Sequence, residues 1–514
     1  MERSEALALA QRMWQKIETQ RYAHGVDEPR HSPRGLHGYL DYYRGVHKLR
    51  FASPEFAEHH LGRYDGFNDN WCAPVIDASA ERLNQLGIRL GEDTREADRE
   101  FQRVWDANDA QRGISEAIVV ALAAGRSYGL VWGDPGDDTT PRVTFEHPEF
   151  CTIAYDPDTR EATAAAKAWF EDDRNGHLTL YTADQVWKWK WSVPRDADPR
   201  RQVTWEDADW EARQGEKDDT WPIPNPLGIV PMVEFRNTSL LDDRPISDLS
   251  GVAAMQDAIN LVWAYLFNGL DFASLPQRVA MGAEFPKIPI LDADGQQIGD
   301  KPADLKKMSK DRILWLTGEH AKIASWPAAN LDQFNAVISL AVDHVAAQTR
   351  TPPHYLIGKM ANMAAEALTV AETGLVAKVV QRQTNFTRPQ RELYRRIALA
   401  QGDKARAQQA RTGTIVWSDP QYRSLSQKID AFQKWRASGL PLRYLLEWYG
   451  LPPAEVERVM TMAEHENDLL MTAKPIPATP GAMIPRGLNQ MVLPDGVTPP
   501  APPTATPSPG NPAE

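Results

Sequence analysis

The residues of this chain that could do chemistry fall into a few small groups. His59-His60 offers two imidazoles to a metal, yet adjacent residues diverge on a helix and the ordinary reading is a pair of surface histidines. Asp134, Asp137 and Asp138 could gather a cation, but they sit in a Gly/Pro loop where acidic turn residues are common. Trp187, Trp189 and Trp191 alternate with lysine, so all three indoles share one strand face. Such a row could stack sugars or bases. It could equally pack on a core or a neighbouring subunit with the lysines outward, and the lack of matching polar sugar-binding groups favours packing. Lys301, Lys306, Lys307, Lys310 and Arg312 could touch phosphate, though interspersed Asp304 and Asp311 point to a solvated face. Asp77 and Arg82 could pair, with a solvated helix face again the plainer reading. The sequence has no G-x-x-x-x-G-K-[ST], no G-x-S-x-G, no H-E-x-x-H and no paired Cys-x-x-Cys. The expectation is therefore a protein that is not an enzyme, with no catalytic residues, no cofactor and no metal.

Composition narrows the class further. A chain of 514 residues with 42% apolar content predicts several globular parts. The net charge of -13 argues against wrapping nucleic acid in a basic surface. It is compatible with a surface past which nucleic acid must slide without sticking. The 2 cysteines, Cys72 and Cys151, form neither a disulfide framework nor a zinc pattern and point to a reducing compartment. The N-terminal MERSEALALAQRMW lacks the apolar core of a signal peptide, and no segment reads as a membrane span.

The element around which the rest is organised runs from Ile246 to Phe272. Ser247 and Asp248 are suitable N-caps. Val252, Met255, Ile259, Val262, Leu266 and Leu270 recur at helical spacing, and a second row widens the stripe until Ala258–Phe267 is apolar almost all round. Leu275-Pro276 ends the helix. Before it, residues 1 to about 22 predict a helix with Ala6, Ala10, Met13, Trp14 and Ile17 on one face. Trp71, Val75, Ala78, Arg82 and Leu86 predict another, and Glu100–Ala124 a third, capped by Gly125. From there to about Phe235, short alternating runs including QVWKWKW and QVTWED predict a mostly antiparallel sheet. After the central helix, Pro276–Trp326 reads as a small module with strand-like RVAMG and RILWLT and a DADG turn. A returning helix starts at Asn330, with Leu331, Phe334, Ile338, Ala341 and Val345 on one stripe, and Thr351-Pro352-Pro353 stops it. A short loop leads to a long helix from about Ala361 that Pro389 should kink or break. A strand near Ile415–Trp417 and two or three compact helices follow, and beyond Leu470 a Pro/Ala/Thr-rich, nearly uncharged tail is expected to be disordered.

The order helix, insertion, returning helix, proline stop, loop and long helix resembles the portal proteins of tailed bacteriophages, of the siphophage type. Tyr43-Arg44-Gly45, Asn70-Trp71-Cys72 followed by Val75, Asp77, Arg82 and Leu83, and Trp105 with Asn108 fit that family's style. So do the Ala-Gly-Arg-Ser-Tyr turn at 124–128, Gln256 and Asn260, and Thr351-Pro352-Pro353 ahead of Asn362 and Ala365-Glu366-Ala367. The resemblance covers about 20–470 and implies an α+β portal fold. In it 1–245 is a wing, 246–275 and 330–350 are the two stem helices, and 276–329 is a small α/β clip. Residues 351–362 form a tunnel loop, 363–420 the long wing helix and its return, and 421–468 a helical crown, while the disordered Pro-rich tail, 469–514, and the Trp-rich strands lie outside the shared pattern. It further implies a ring of twelve copies at one capsid vertex through which double-stranded DNA is packaged and ejected. Expected partners are other copies of the chain, that DNA, a major capsid or scaffolding protein, the large terminase and a head–tail connector protein, with no membrane. The expected locations are the virion and, during assembly, the host cytoplasm. His354, Tyr355, Lys359 and Asn362 would then face DNA, and Ile259, Val262, Trp263 and Leu266 would pack between stem subunits. The competing readings are a carbohydrate-binding β-module with helical appendages and an enzyme without a recognisable motif.

Overall fold

The computed structural model describes residues 1–22, 35–46, 49, 51–60, 67–90, 98–134, 136–172, 175–192, 209–213, 221–241, 244–274, 278–281, 287–291, 296–302, 313–316, 332–357, 365–421, 425–451 and 453–472. Residues Met1–Val459 form one compact unit and Met460–Glu514 another.

The first unit opens with α1 (Arg3–Tyr22), α2 (Gly35–Arg44), α3 (Pro54–His60) and α4 (Cys72–Ala80), followed by β1 (Gln85–Arg89). The predicted stripe of α1 is wholly buried, from Ala6 to Ile17. Helix α4 is shorter than the spacing of Trp71 to Leu86 predicts. It ends at Ala80, and Leu86 belongs to β1. The segment predicted as one helix over 100–124 is two, α5 (Arg99–Ala107) and α6 (Ala110–Ala124). Asp109 between them takes a left-handed φ of 49°. Asn108 fixes the break by donating to the Val104 and Pro141 carbonyls, both at 2.9 Å, while its Oδ1 accepts from the Val143 N–H at 3.0 Å. Gly125 caps α6 at φ 89°, where a Cβ would strike the Pro245 carbonyl.

The strands follow: β2 (Arg126–Asp134), β3 (Asp137–Glu146), β4 (Cys151–Tyr155), β5 (Ala162–Phe170), β6 (Asn175–Thr182), β7 (Gln185–Ser192), β8 (Asp209–Ala212), β9 (Ile223–Pro224) and β10 (Met232–Arg236). They form an antiparallel three-stranded sheet, β10-β2-β3, and a 6-stranded antiparallel sheet in which β4 to β8 lie in sequence order and β9 pairs with β7. The QVTWED run lies outside the described residues.

The tryptophan row of β7 is not an open platform. Trp187, Trp189 and Trp191 are at most 2% exposed and lie under the apolar stripe of α1. Trp14 meets Trp191 edge-on at 5.4 Å, and Trp221 stands perpendicular to Trp187 and Trp189. Packing therefore explains this face, and no sugar or base could reach it.

The chain continues through α7 (Ala253–Ser274), β11 (Arg278–Met281), β12 (Lys287–Leu291), β13 (Gln297–Pro302), β14 (Ile313–Leu316) and α8 (Asp332–Thr349). Strand β11 pairs in parallel with β14, and β12 with β13 in antiparallel fashion, which makes the small insertion between two helices that pack on each other. The DADG turn, Asn330, Leu331 and the basic residues 306–312 lie outside the described residues. Helix α7 starts later than its capping signal predicts. Ser247 Oγ accepts from the Leu249 N–H and donates to the Ala123 carbonyl, so residues 247–252 are spent on turns. After the proline stop come α9 (Pro353–Ile357), α10 (Ala365–Ala400), α11 (Lys404–Thr412), β15 (Thr414–Trp417), α12 (Leu425–Ala437), α13 (Leu442–Tyr449) and α14 (Pro453–Thr472). Helix α10 is continuous over 36 residues with Pro389 inside it, so of the expected kink or break the break does not occur. Its Leu375, Val379, Phe386, Leu393 and Ile397 are buried in the main core, which holds the helix across the missing hydrogen bond. Strand β15 pairs with β1, tying residues 414–417 to residues 85–89. The tail beyond 472 lies outside the described residues.

Candidate functional site

The polar residues of this fold gather where α7 and the end of α8 meet the N-terminal helices and α10. Three successive turns of α7 present Gln256, Asn260 and Trp263 to one loop. Gln256 Oε1 accepts from the Trp71 N–H at 2.8 Å, and its amide donates to the Asp69 carbonyl at 2.6 Å. The Asp69 N–H donates to Asn260 Oδ1 at 3.0 Å, and the Trp263 indole N–H donates to Asp69 Oδ2 at 2.8 Å. Spacing of four and three residues puts these side chains on one helical face, and each satisfies a backbone or side-chain group of an otherwise irregular loop. On another side of α7, the Tyr42 hydroxyl donates to the buried Asp257 at 2.7 Å.

Just before α7, Asp248 is held from three directions. Lys378 Nζ lies 2.9 Å and Arg382 Nη2 2.7 Å from its carboxylate, and the Asn237 amide donates to it at 2.7 Å. Burial alone would push the Asp248 pKa up. The two cations and the amide outweigh that, and the carboxyl is held below its usual range.

At the far end of α8 a second ionic knot forms. Arg82 donates to the Tyr355 hydroxyl at 2.5 Å and to the Pro420 carbonyl at 2.8 Å, and pairs with Glu372 at 3.4 Å. Its guanidinium lies 5.5 Å from the Tyr355 ring centre. His354 Nε2 is 3.7 Å from the same Glu372 carboxylate. Burial pulls the Arg82 pKa down, but Tyr355 and Glu372 more than offset it and the guanidinium is held charged. Arg82 is thus a buried anchor rather than part of a solvated face. Asp77, its supposed partner, instead accepts from the Tyr43 hydroxyl at 3.0 Å.

The structure distributes the predicted site residues as follows. His354 and Tyr355 are drawn together against α10, with the His354 side chain 11% exposed. Lys359 and Asn362 lie outside the described residues. Ile259 and Leu266 are buried within the chain itself, and Val262 and Trp263 are partly buried against the same core. Much of the cover that the apolar run of α7 requires therefore comes from its own chain. The sequence reading overlooked a different set of apolar side chains. Val337 (50%) and Leu340 (56%) on α8 remain exposed. So do Ile288, Ile290, Leu291 and Ile298 on the β12–β13 hairpin, between 43% and 67%. Val337 and Leu340 lie three apart and off the buried stripe, a signal available in the sequence; the exposed hairpin had none.

The remaining chemical candidates resolve into local structure. Asp134 accepts from the Gly136 N–H and pairs with Arg142 at 2.7 Å. Asp137 accepts from the Thr139 hydroxyl and N–H, and these bonds hold its pKa down at about 2. Of His59 and His60 only the helical backbone is described. Among the described residues no group of three His, Cys, Asp or Glu could hold a metal ion. Burial pushes the Cys72 and Cys151 thiols up, which makes them poor nucleophiles. No described helix is long and apolar enough to cross a membrane. What the arrangement can do is mechanical: it fastens a helix pair and its small insertion to a mixed helix-and-sheet body.

Such a body, with a helix pair leading out to a small insertion whose described elements are strands and back to one long helix, belongs to the α+β class that the sequence resemblance implies. The profile described as phage portal protein, SPP1 Gp6-like, matches residues 40–468, and the chain belongs to that family of structural virion proteins. It is 28% identical to the portal protein of Mycobacterium phage L5 over 381 residues, 71% of each chain. With the portal protein of Mycobacterium phage D29 it shares 28% identity over 411 residues, 76% of this chain and 78% of that one. Among solved structures, a chain from the neck of an empty gene transfer agent (GTA) particle aligns with a TM-score of 0.41 at 14% identity, covering 85% of this chain and 100% of that one. A chain from the virion of a native gene transfer agent particle aligns with a TM-score of 0.40 at 12% identity, covering 84% and 97%.

Proposed function

We propose that this portal protein assembles into a ring of twelve copies at one vertex of the head and that double-stranded DNA passes through the ring during filling and ejection. Residues 1–245 and 363–420 act as the wing, 246–275 and 330–350 as the stem, 276–329 as the clip and 421–468 as the crown. Capsid or scaffolding protein surrounds the ring, the large terminase docks on it while the head fills, and a head–tail connector replaces the terminase afterwards. The absence of a phosphate-binding loop motif agrees with an ATPase that is a separate protein.

One observation carries the ring. The β12–β13 hairpin exposes Ile288, Ile290, Leu291 and Ile298, and α8 exposes Val337 and Leu340. A lone two-stranded hairpin is at best marginally stable in water, and an apolar one needs cover. A heterologous contact repeated about an axis supplies that cover and closes into a ring. The charge balance of -13 fits a conduit, because an acidic wall does not trap phosphates by counterion release.

Native mass spectrometry of the purified chain tests this reading. The wild type should give a ring mass, whereas Ile290→Asp and Leu340→Asp should shift the population to folded monomer. A wild-type chain that stays monomeric across salt and concentration would overturn it.

A further inference from the structure

The face of the six-stranded sheet opposite α1 holds a feature that the portal reading does not use. Lys167 on β5, Thr179 on β6 and Lys188 on β7 stand opposite one another in register. The Arg213 N–H donates to the Lys188 carbonyl at 2.9 Å, extending the row one residue past β8. Three cations and a hydroxyl therefore lie side by side across four strands. Like charges directly opposite each other on a sheet are destabilising. Glu146, 2.6 Å from Lys167, neutralises one of them. None of the described ion pairs includes Lys188 or Arg213. Arg213 lies 4.8 Å from the Trp169 ring centre, and burial lowers its pKa. This row lines a cavity of about 550 Å³ that Trp132 from the three-stranded sheet also lines. Trp132 and Tyr181 approach to 6.0 Å between ring centres, leaving an aromatic wall beside the cationic row.

We propose that this cavity binds a nucleotide monophosphate group, the phosphate on Thr179, Lys188 and Arg213 and the base against Trp132 and Tyr181. Two cations without a carboxylate partner among the described residues match the two charges of a phosphate monoester, and guanidinium and ammonium donors suit its oxygens. Aromatic rings stack a base of any identity. The volume suits one nucleotide rather than a strand. The same chemistry has two sources, a free nucleotide or the phosphorylated terminus of a polynucleotide. This inference is independent of ring formation, because every residue involved lies in one chain.

Isothermal titration calorimetry on the full chain separates the possibilities. Deoxyadenosine monophosphate should bind at least ten-fold more tightly than either deoxyadenosine or inorganic phosphate. Arg213→Gln, Lys188→Gln and Trp132→Leu should each weaken it about ten-fold or more, with unchanged thermal unfolding. Lys190→Gln, one row away on the same face, should leave it unchanged. If the free nucleotide is silent but a 5′-phosphorylated hexadeoxynucleotide binds with the same sensitivity to these variants, the site takes a chain terminus and the proposal stands. Absence of binding by both at millimolar concentration overturns it. So does inorganic phosphate that binds as well as the nucleotide and ignores Trp132→Leu, which would mark an adventitious ion only.

Discussion

Asp248 shows how much of this fold rests on single buried charges. Its side chain is 3% exposed and its partners Lys378 and Arg382 are 7% and 10% exposed, so all three have left water. Removing one member of such a group strands the others, and Asp248→Asn should cost about 3–5 kcal/mol of stability in chemical denaturation. The pH dependence has a definite sign. The folded-state pKa of Asp248 is depressed, so its contribution is present above the unfolded value of about 3.9 and is lost as pH falls through the lower folded value. The acid limb of the stability profile should therefore flatten in Asp248→Asn. An equally steep limb in the variant would assign that acid sensitivity to other carboxylates.

At the scale of elements, the docking of α1 on the tryptophan sheet depends on a residue with no side chain. Gly176 on β6 lies opposite Trp191, and a Cβ there would come within 2.3 Å of the indole. The ring cannot yield, because Trp14 and Phe170 pack on it at 5.4 and 5.6 Å. Gly176→Ala should destabilise by about 1–3 kcal/mol and shift tryptophan emission to the red as α1 loosens, read in denaturant titrations with fluorescence. The stripe of α1, the Gly125 cap, the antiparallel strands and the Thr351-Pro352-Pro353 stop were legible, since each depends on residues close in sequence. The errors share a different cause. Ser247 and Asp248 look like caps until Ala123, Lys378 and Arg382 arrive from far along the chain. Arg82 looks like a solvated charge until Glu372 and Tyr355 enclose it. Pro389 should break a helix in isolation, but the core holds both sides of it in place. The alternation with tryptophan sets Lys188 outward, but its alignment with Lys167 and Arg213 depends on strand register, which the linear sequence does not carry.

For the whole molecule, the question is where a net acidic chain of -13 would touch the DNA that it is proposed to conduct. The segment 351–362 follows the second helix of the pair, and its first half is already committed. Tyr355 is bonded to Arg82, His354 faces Glu372, and Leu356 is buried in the core. These residues act as an anchor, which leaves Lys359 as the cation of the segment for a phosphate backbone. Twelve copies of one lysine in an acidic channel would give weak, salt-sensitive contact and too little attraction to hold DNA fast. Lys359→Glu should therefore leave ring mass and thermal unfolding unchanged while lowering the DNA content or retention of particles by several-fold. Tyr355→Ala should instead lower thermal stability, because it strips Arg82 of a buried partner. Particles carrying Lys359→Glu that fill and keep their DNA normally would exclude a charge contact at this loop. Failure of the rings themselves would show that Lys359 packs between subunits.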